Sequence, residues 1–309
     1  MNDMPQFNFG DRRKKFKVSQ DCDEVEVSAL KNGQSNPFEG VRNDLISGTL
    51  SDDVEMQLAG AQWQYEANAI ENLSSEIVEE ILRRAELLGS LYPFEFNGST
   101  LSYSPTDHRL YEFLLVCSAT KNITKGYNVY IPRNFERVAM EVSANFVGGD
   151  VEFMHVGWPR KNPNFRETWN EVHTRSGEWR WQPKVTLENA TPPPAGDEGV
   201  DYVLWKAFGC GRPMGQLFFL GQCACGGDWD DKFTDINSKF FKWFDVPPVR
   251  PAHVFAVPHC LPIESIFEAS GDAGIVLDRI RLVTAANLDG KYRRKSWSAV
   301  YKRMLSRLV

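Results

Sequence analysis

The stretch GDEGVDYVLWKAFGCGRPMGQLFFLGQCACG, residues 196–226, sets two apolar runs, VDYVLW and QLFFLGQCA, around a turn rich in glycine and proline. Runs of this length, rich in aromatic and aliphatic residues and split by turn formers, read as a β-hairpin. If cross-strand partners sum to near 423, Lys206 faces Leu217, the turn takes 208–215 and Asp201 lies opposite Gln222. Direct partners on one sheet face have Cβ atoms roughly 4.5–5.5 Å apart. Two oxygen-bearing side chains at that separation can share one hard cation, because Mg²⁺ prefers carboxylate, carbonyl and water oxygens. The plainer reading uses the same residues as a turn aspartate and a glutamine bonded to backbone.

Outward from the hairpin, PRNFERVAMEVSANFVGG places Phe135, Val138, Ala139, Val142 and Phe146 on one helical stripe and stops at Gly148-Gly149. DVEFMHVGWP alternates like a strand, and 183–199 is a loop with three consecutive prolines. Downstream, DWDDKFTDINSKFFKWFD spaces Trp229, Phe233, Ile236, Phe240 and Phe244 for a helix. AHVFAVP and GIVLDRIRLV read as strands, and SWSAVYKRMLSRLV as a closing helix. Upstream, a long helix ending near Gly89 carries Ile70, Leu73, Ile77, Ile81, Leu82 and Leu88, and a second runs from about Asp107 to Ser118. Residues 1 to 55 read as loosely structured, with one short strand at EVEVSAL. The order predicts a mixed α/β core over 105–309, with 1–104 as a partly flexible, then helical, N-terminal region.

Hydrophobic content of 42% and charged content of 25% are those of a soluble globular chain. No apolar run reaches the roughly 20 residues of a membrane helix, and MNDMPQFNFGDRRKKF lacks a signal-peptide core. Six scattered cysteines suit buried thiols in a reducing cytoplasm better than a disulfide framework. The net charge of −6 argues against a uniformly basic nucleic-acid binder, but charge is uneven: Lys291–Val309 holds seven Lys or Arg and no acid. Lys291, Arg293, Arg294 and Lys295 in that run are candidates for contacting phosphates.

NFERVAMEVSANFVGG, then a strand, then GDEGVD, then an apolar strand ending in GQCA, together resemble the PD-(D/E)XK restriction-endonuclease-like superfamily, nearest its Mrr-type branch. There a Phe-Glu pair on a helix gives one carboxylate, Gly-Val-Asp a second, and Gln-x-Lys a third ligand and a lysine. The resemblance covers about 130–230 and implies a restriction-endonuclease-like core of central mixed sheet and flanking helices. It implies Glu136, Asp201 and Gln222 as ligands of Mg²⁺ (Mn²⁺ able to substitute) in a DNA endonuclease of host defence, acting with a protein partner or as a homo-oligomer. One departure is plain: Ala224 stands where the motif has lysine. Lys232 is the first substitute and Lys206 the second. With no substitute, the fold would serve as a catalytically silent nucleic-acid-binding or scaffold subunit.

Three other constellations compete. Cys223 and Cys225 with Cys210, Cys260 and His259 form a poor zinc pattern, lacking paired C-x₂₋₄-C spacing. A thiol hydrolase would pair Cys223 or Cys225 with His253 or His259. Trp179 and Trp181, among Arg166, Arg175, Arg180 and Lys184, could stack bases beside phosphates.

Overall fold

The computed structural model describes residues 9–38, 59–120 and 129–287, apart from 149, 163, 188, 191, 193–195, 227–228 and 233–234. Its first element overturns an expectation. Helix α1 spans Phe9–Asn32, and EVEVSAL lies inside it. Val18, Cys22, Val25 and Ala29 are all buried, at i, i+4, i+7 and i+11, a helical stripe carried partly by small side chains. The acids that make this segment look polar also turn inward: Asp23 and Glu26 are buried against Arg84 and Arg279.

Strand β1 (Gln34–Ser35), helix α2 (Ala59–Leu88), β2 (Phe94–Phe96) and β3 (Leu101–Tyr103) follow. The three strands make a small antiparallel sheet in the order β1-β3-β2. Helix α2 ends where expected, passing at Gly89 into a short 3-10 turn. Then come α3 (Leu110–Ala119) and α4 (Tyr130–Val147). On α4 the expected stripe is buried at Phe135, Val138, Ala139 and Val142, whereas Phe146 is exposed.

The main sheet is built from β4 (Glu152–His155), β5 (Tyr202–Lys206), β6 (Leu217–Cys223), β7 (Ala252–Ala256) and β8 (Ile275–Leu277), side by side in that order. The pairs β4–β5 and β5–β6 are antiparallel, while β6–β7 and β7–β8 are parallel. The hairpin holds the expected register, from Lys206 opposite Leu217 to Tyr202 opposite Gly221. Around it lie α5 (Phe165–Ser176), the short α6 (Asp235–Lys239), α7 (Ile263–Ala273) and α8 (Arg279–Asn287). The fold is mixed α/β, a central sheet flanked by helices.

Two further expectations change. Instead of one helix, 228–245 holds 3-10 turns at Trp229–Asp231 and Phe240–Lys242 with α6 between them. GIVLDRIRLV is strand only to Leu277, because Asp278 accepts the Arg281 N–H at 3.0 Å and opens α8.

Each face of the sheet has its own core. Tyr202 and Leu204 point toward α4 and share one cluster with α1, α2 and α3, so this core draws on both sides of position 104. Val203, Trp205, Phe218 and Leu220 point to the other face, against Trp169, Trp179, Phe240 and Phe244. Trp179 is 1% exposed and edge-on to Trp169 at 5.5 Å, so it is a core residue and not a base-stacking platform. Among the described residues no helix is long and apolar enough to cross a membrane.

Candidate functional site

β4 and β6 end, and β5 begins, at the same edge of the sheet. In open α/β sheets this carboxyl end of the parallel strands is where ligands bind. Asp201 sits there, immediately before β5. Its N–H donates to the Gly221 carbonyl at 2.8 Å, and its own carbonyl accepts the N–H groups of Val156 and Gly157, each at 2.8 Å. The ladder to β6 therefore opens at this point, and the Cys223 N–H bonds the Asp201 carboxylate at 2.7 Å instead. The carboxylate is thus fixed by backbone, and Asp201 is only 8% exposed. Gly157 makes the close approach possible, since a Cβ there would meet Asp201 Oδ1 at 2.8 Å. Gly221 plays a similar part on β6: a Cβ would fall within 2.1 Å of the Tyr202 ring, whose hydroxyl bonds Ser143 of α4 at 2.8 Å. That contact ties α4 to the strand pair.

Glu136, one turn into α4, accepts or shares a proton with His155 Nε2 at 2.7 Å. Gln222 is 5% exposed and stands one residue beyond the Tyr202–Gly221 pair, the position that faces Asp201 in the register. Lys232 follows the 3-10 turn Trp229–Asp231, bonding the Trp229 carbonyl through its own N–H at 3.2 Å. Glu136 and Lys232 thus lie within electrostatic reach of Asp201, and Gln222 stands beside it by strand position. Lys291, Arg293, Arg294 and Lys295, with the expected closing helix, lie outside the described residues.

The electrostatics bind the group together. Burial, then the charge of Asp197, raises the Glu136 carboxyl to about 8, against the opposing pull of Arg137 and Arg133. Burial and the charges of Glu136 and Asp197 push Asp201 well above the usual carboxylate range, opposed by the Cys223 N–H and Lys232. Asp197 is raised too, chiefly by burial, while the Gly199 N–H and Arg160 pull it down. His155 falls to about 4 through burial and the nearby Arg137 and Arg160. Buried carboxylates raised in this way would gain from a divalent cation. Glu136 and Asp201 offer carboxylate oxygens, and Gln222 at the end of β6 would add a carboxamide oxygen, donors of the hard kind Mg²⁺ takes. Among the described residues, no three His, Cys, Asp or Glu side chains make a metal cluster.

Asp197 and His155 belong to this site although the sequence reading passed over them. Asp197 was legible as the other acid of GDEGVD, four residues before Asp201. His155 carries a weaker signal, as the polar end of β4, paired with Tyr202.

The cysteine constellations do not assemble. Cys210 is exposed in the hairpin turn, while Cys225 and Cys260 are buried. Burial pushes the Cys223 and Cys225 thiols well up, against the thiolate an unaided nucleophile needs, and no group of three His, Cys, Asp or Glu among the described residues is placed to hold a metal. His259 is buried and bonds the Gly226 carbonyl at 3.3 Å.

No protein-family model, curated protein or solved structure matches the chain.

Proposed function

We propose that the chain is a Mg²⁺-dependent DNA endonuclease of the PD-(D/E)XK kind, with Glu136, Asp201 and Gln222 as the ion's ligands. The observation that carries this reading is the sheet-end cluster: Glu136 and Asp201 come from different elements, both are withdrawn from water, both are raised by burial and by the charge of Asp197, and Glu136 raises Asp201 further. Bound Mg²⁺ would supply positive charge against phosphate oxygens and ease proton loss from an attacking water. The chain's own part is positional. The Cys223 N–H aims the Asp201 carboxylate, and His155 holds Glu136 by its hydrogen bond. Lys232, whose charge reaches Asp201, offsets negative charge on the phosphate in place of the lysine absent at Ala224. A role in host defence, with a partner subunit supplying target recognition, belongs to the same reading.

Ala224, 2% exposed in the core, favours a second reading: a catalytically silent subunit that keeps the fold and binds nucleic acid. Incubating plasmid and linear DNA with the protein and Mg²⁺ or Mn²⁺ separates the two. Metal-dependent cleavage that is lost in Asp201→Asn supports the nuclease; DNA binding with no cleavage under any metal supports the silent subunit.

A further inference from the structure

Beside the carboxylates lies a cavity of about 400 Å³ that the sequence reading did not foresee. Arg137 of α4, His155 of β4, the loop residues Arg160, Lys161 and Asn162, and Glu171 of α5 all line it. His155 is shared: its ring lines the cavity and its Nε2 meets Glu136, so the cavity opens directly beside the candidate metal ligands. Three cationic side chains face one carboxylate among its described lining residues, on a chain whose net charge is −6.

The cations differ in how they are held. Arg160 is built in: it is 7% exposed, donates to the Val156 carbonyl at 3.1 Å and the Gly196 carbonyl at 2.8 Å, and lies over the rings of Trp158 and Phe165. It thereby gives the cavity a fixed positive floor and also ties down the loop that carries Asp197. Arg137 and Lys161 are exposed at the rim, where a planar guanidinium and a mobile ammonium can reach an anion from two sides.

We propose that this cavity is the subsite for a backbone phosphate adjoining the cleaved one, gripped by Arg137 and Lys161 over the fixed charge of Arg160. The inference rests on the nuclease reading for its substrate, and it assigns the direction in which the DNA strand leaves the carboxylates: along β4 toward the start of α5.

The test is a salt titration of duplex DNA binding by the full chain, in Ca²⁺ to limit cleavage, for wild type, Arg137→Ala/Lys161→Ala and Glu171→Gln. The double alanine variant is expected to bind several-fold more weakly and to lower the slope of log K against log salt by roughly 0.9, the value of one phosphate contact. Glu171→Gln is expected to bind more tightly than wild type, an outcome that misfolding would not produce. Arg137→Lys/Lys161→Arg, which keeps both charges, should retain the wild-type slope. Parallel slopes for wild type and the double alanine variant, or no gain in Glu171→Gln, would overturn the subsite. Mn²⁺ binding measured by calorimetry on the same proteins keeps the two ideas apart. Unaltered Mn²⁺ binding with a lowered slope supports the subsite, whereas failure of the wild type itself to bind Mn²⁺ removes the metal site and leaves the subsite to be judged on the slope. Competition by millimolar inorganic phosphate equal to that by DNA would reassign the cavity to a free anion and overturn the proposal.

Discussion

Asp23 and Asp201 are both aspartates taken almost wholly out of water, yet their proton affinities move in opposite directions. Burial alone would raise Asp23, but Arg279 and Arg84 hold it well below the usual carboxylate range. Arg279 meets it through two nitrogens at 2.8 and 2.6 Å, and Arg84 through a third at 2.7 Å. Asp201 has two further acids for company, opposed by the Cys223 N–H and Lys232. In the first cluster guanidinium counter-ions outweigh burial; in the second, burial and neighbouring acids outweigh the opposing groups. A buried charge held down by its partners is structural, whereas a buried acid with raised proton affinity at a sheet end marks a candidate functional site.

The contrast can be broken most visibly through activity. Asp201→Asn keeps an acceptor for the Cys223 N–H, so the fold should survive while Mg²⁺-dependent cleavage falls by about 10³-fold or more, as expected for losing several kcal/mol of charge stabilisation. Alanine at this position is a poorer probe, because the Cys223 N–H would lose its partner. On the other side, Arg84→Met should cost about 3–5 kcal/mol in denaturant unfolding, since it leaves Asp23 and Glu26 short of a counter-charge. An unchanged midpoint would mean that water reaches this network.

A smaller effect comes from the ion itself. Mn²⁺ or Mg²⁺ at a hundredfold excess over Kd should stabilise the wild type by about 2.7 kcal/mol and Asp201→Asn by much less, as read by thermal unfolding. The smallest effect is the change across a single pH unit. Glu136, at about 8 in the fold and near 4.5 unfolded, keeps its proton in the native state alone between those values. Its contribution is therefore complete below about pH 4.5 and drains away as pH rises toward 8, by at most about 1.4 kcal/mol per pH unit. Metal-free Glu136→Gln should lose less stability than wild type from pH 5 to 8. Parallel curves would show that Glu136 is already ionised in the native protein.

Much of this was legible because periodicity survives wherever apolar side chains carry it. The hairpin register followed from two apolar runs and a turn, and α4 from its stripe, so the elements that carry Glu136, Asp201 and Gln222 were legible in the sequence. What was not legible has a common cause. Helix α1 hides half its inward face in Asp23, Glu26 and Ser19, whose partners lie far along the chain, so its pattern looks solvated. His155 and Arg160 become site residues only because β4 lies beside β5, a neighbour relation no local window contains. The broken helix at 228–245 misled for another reason: its aromatic spacing suits a helix, but Trp229 packs with Phe255 while Phe240 and Phe244 fill a separate cluster.

The pairing of Asp23 with Arg279 spans 256 residues. During synthesis, then, the acid emerges long before its guanidinium exists, and the partner at Arg84 arrives in between. The α1–α8 seam therefore cannot close until residue 279 has been made, and long-range contacts of this kind slow folding.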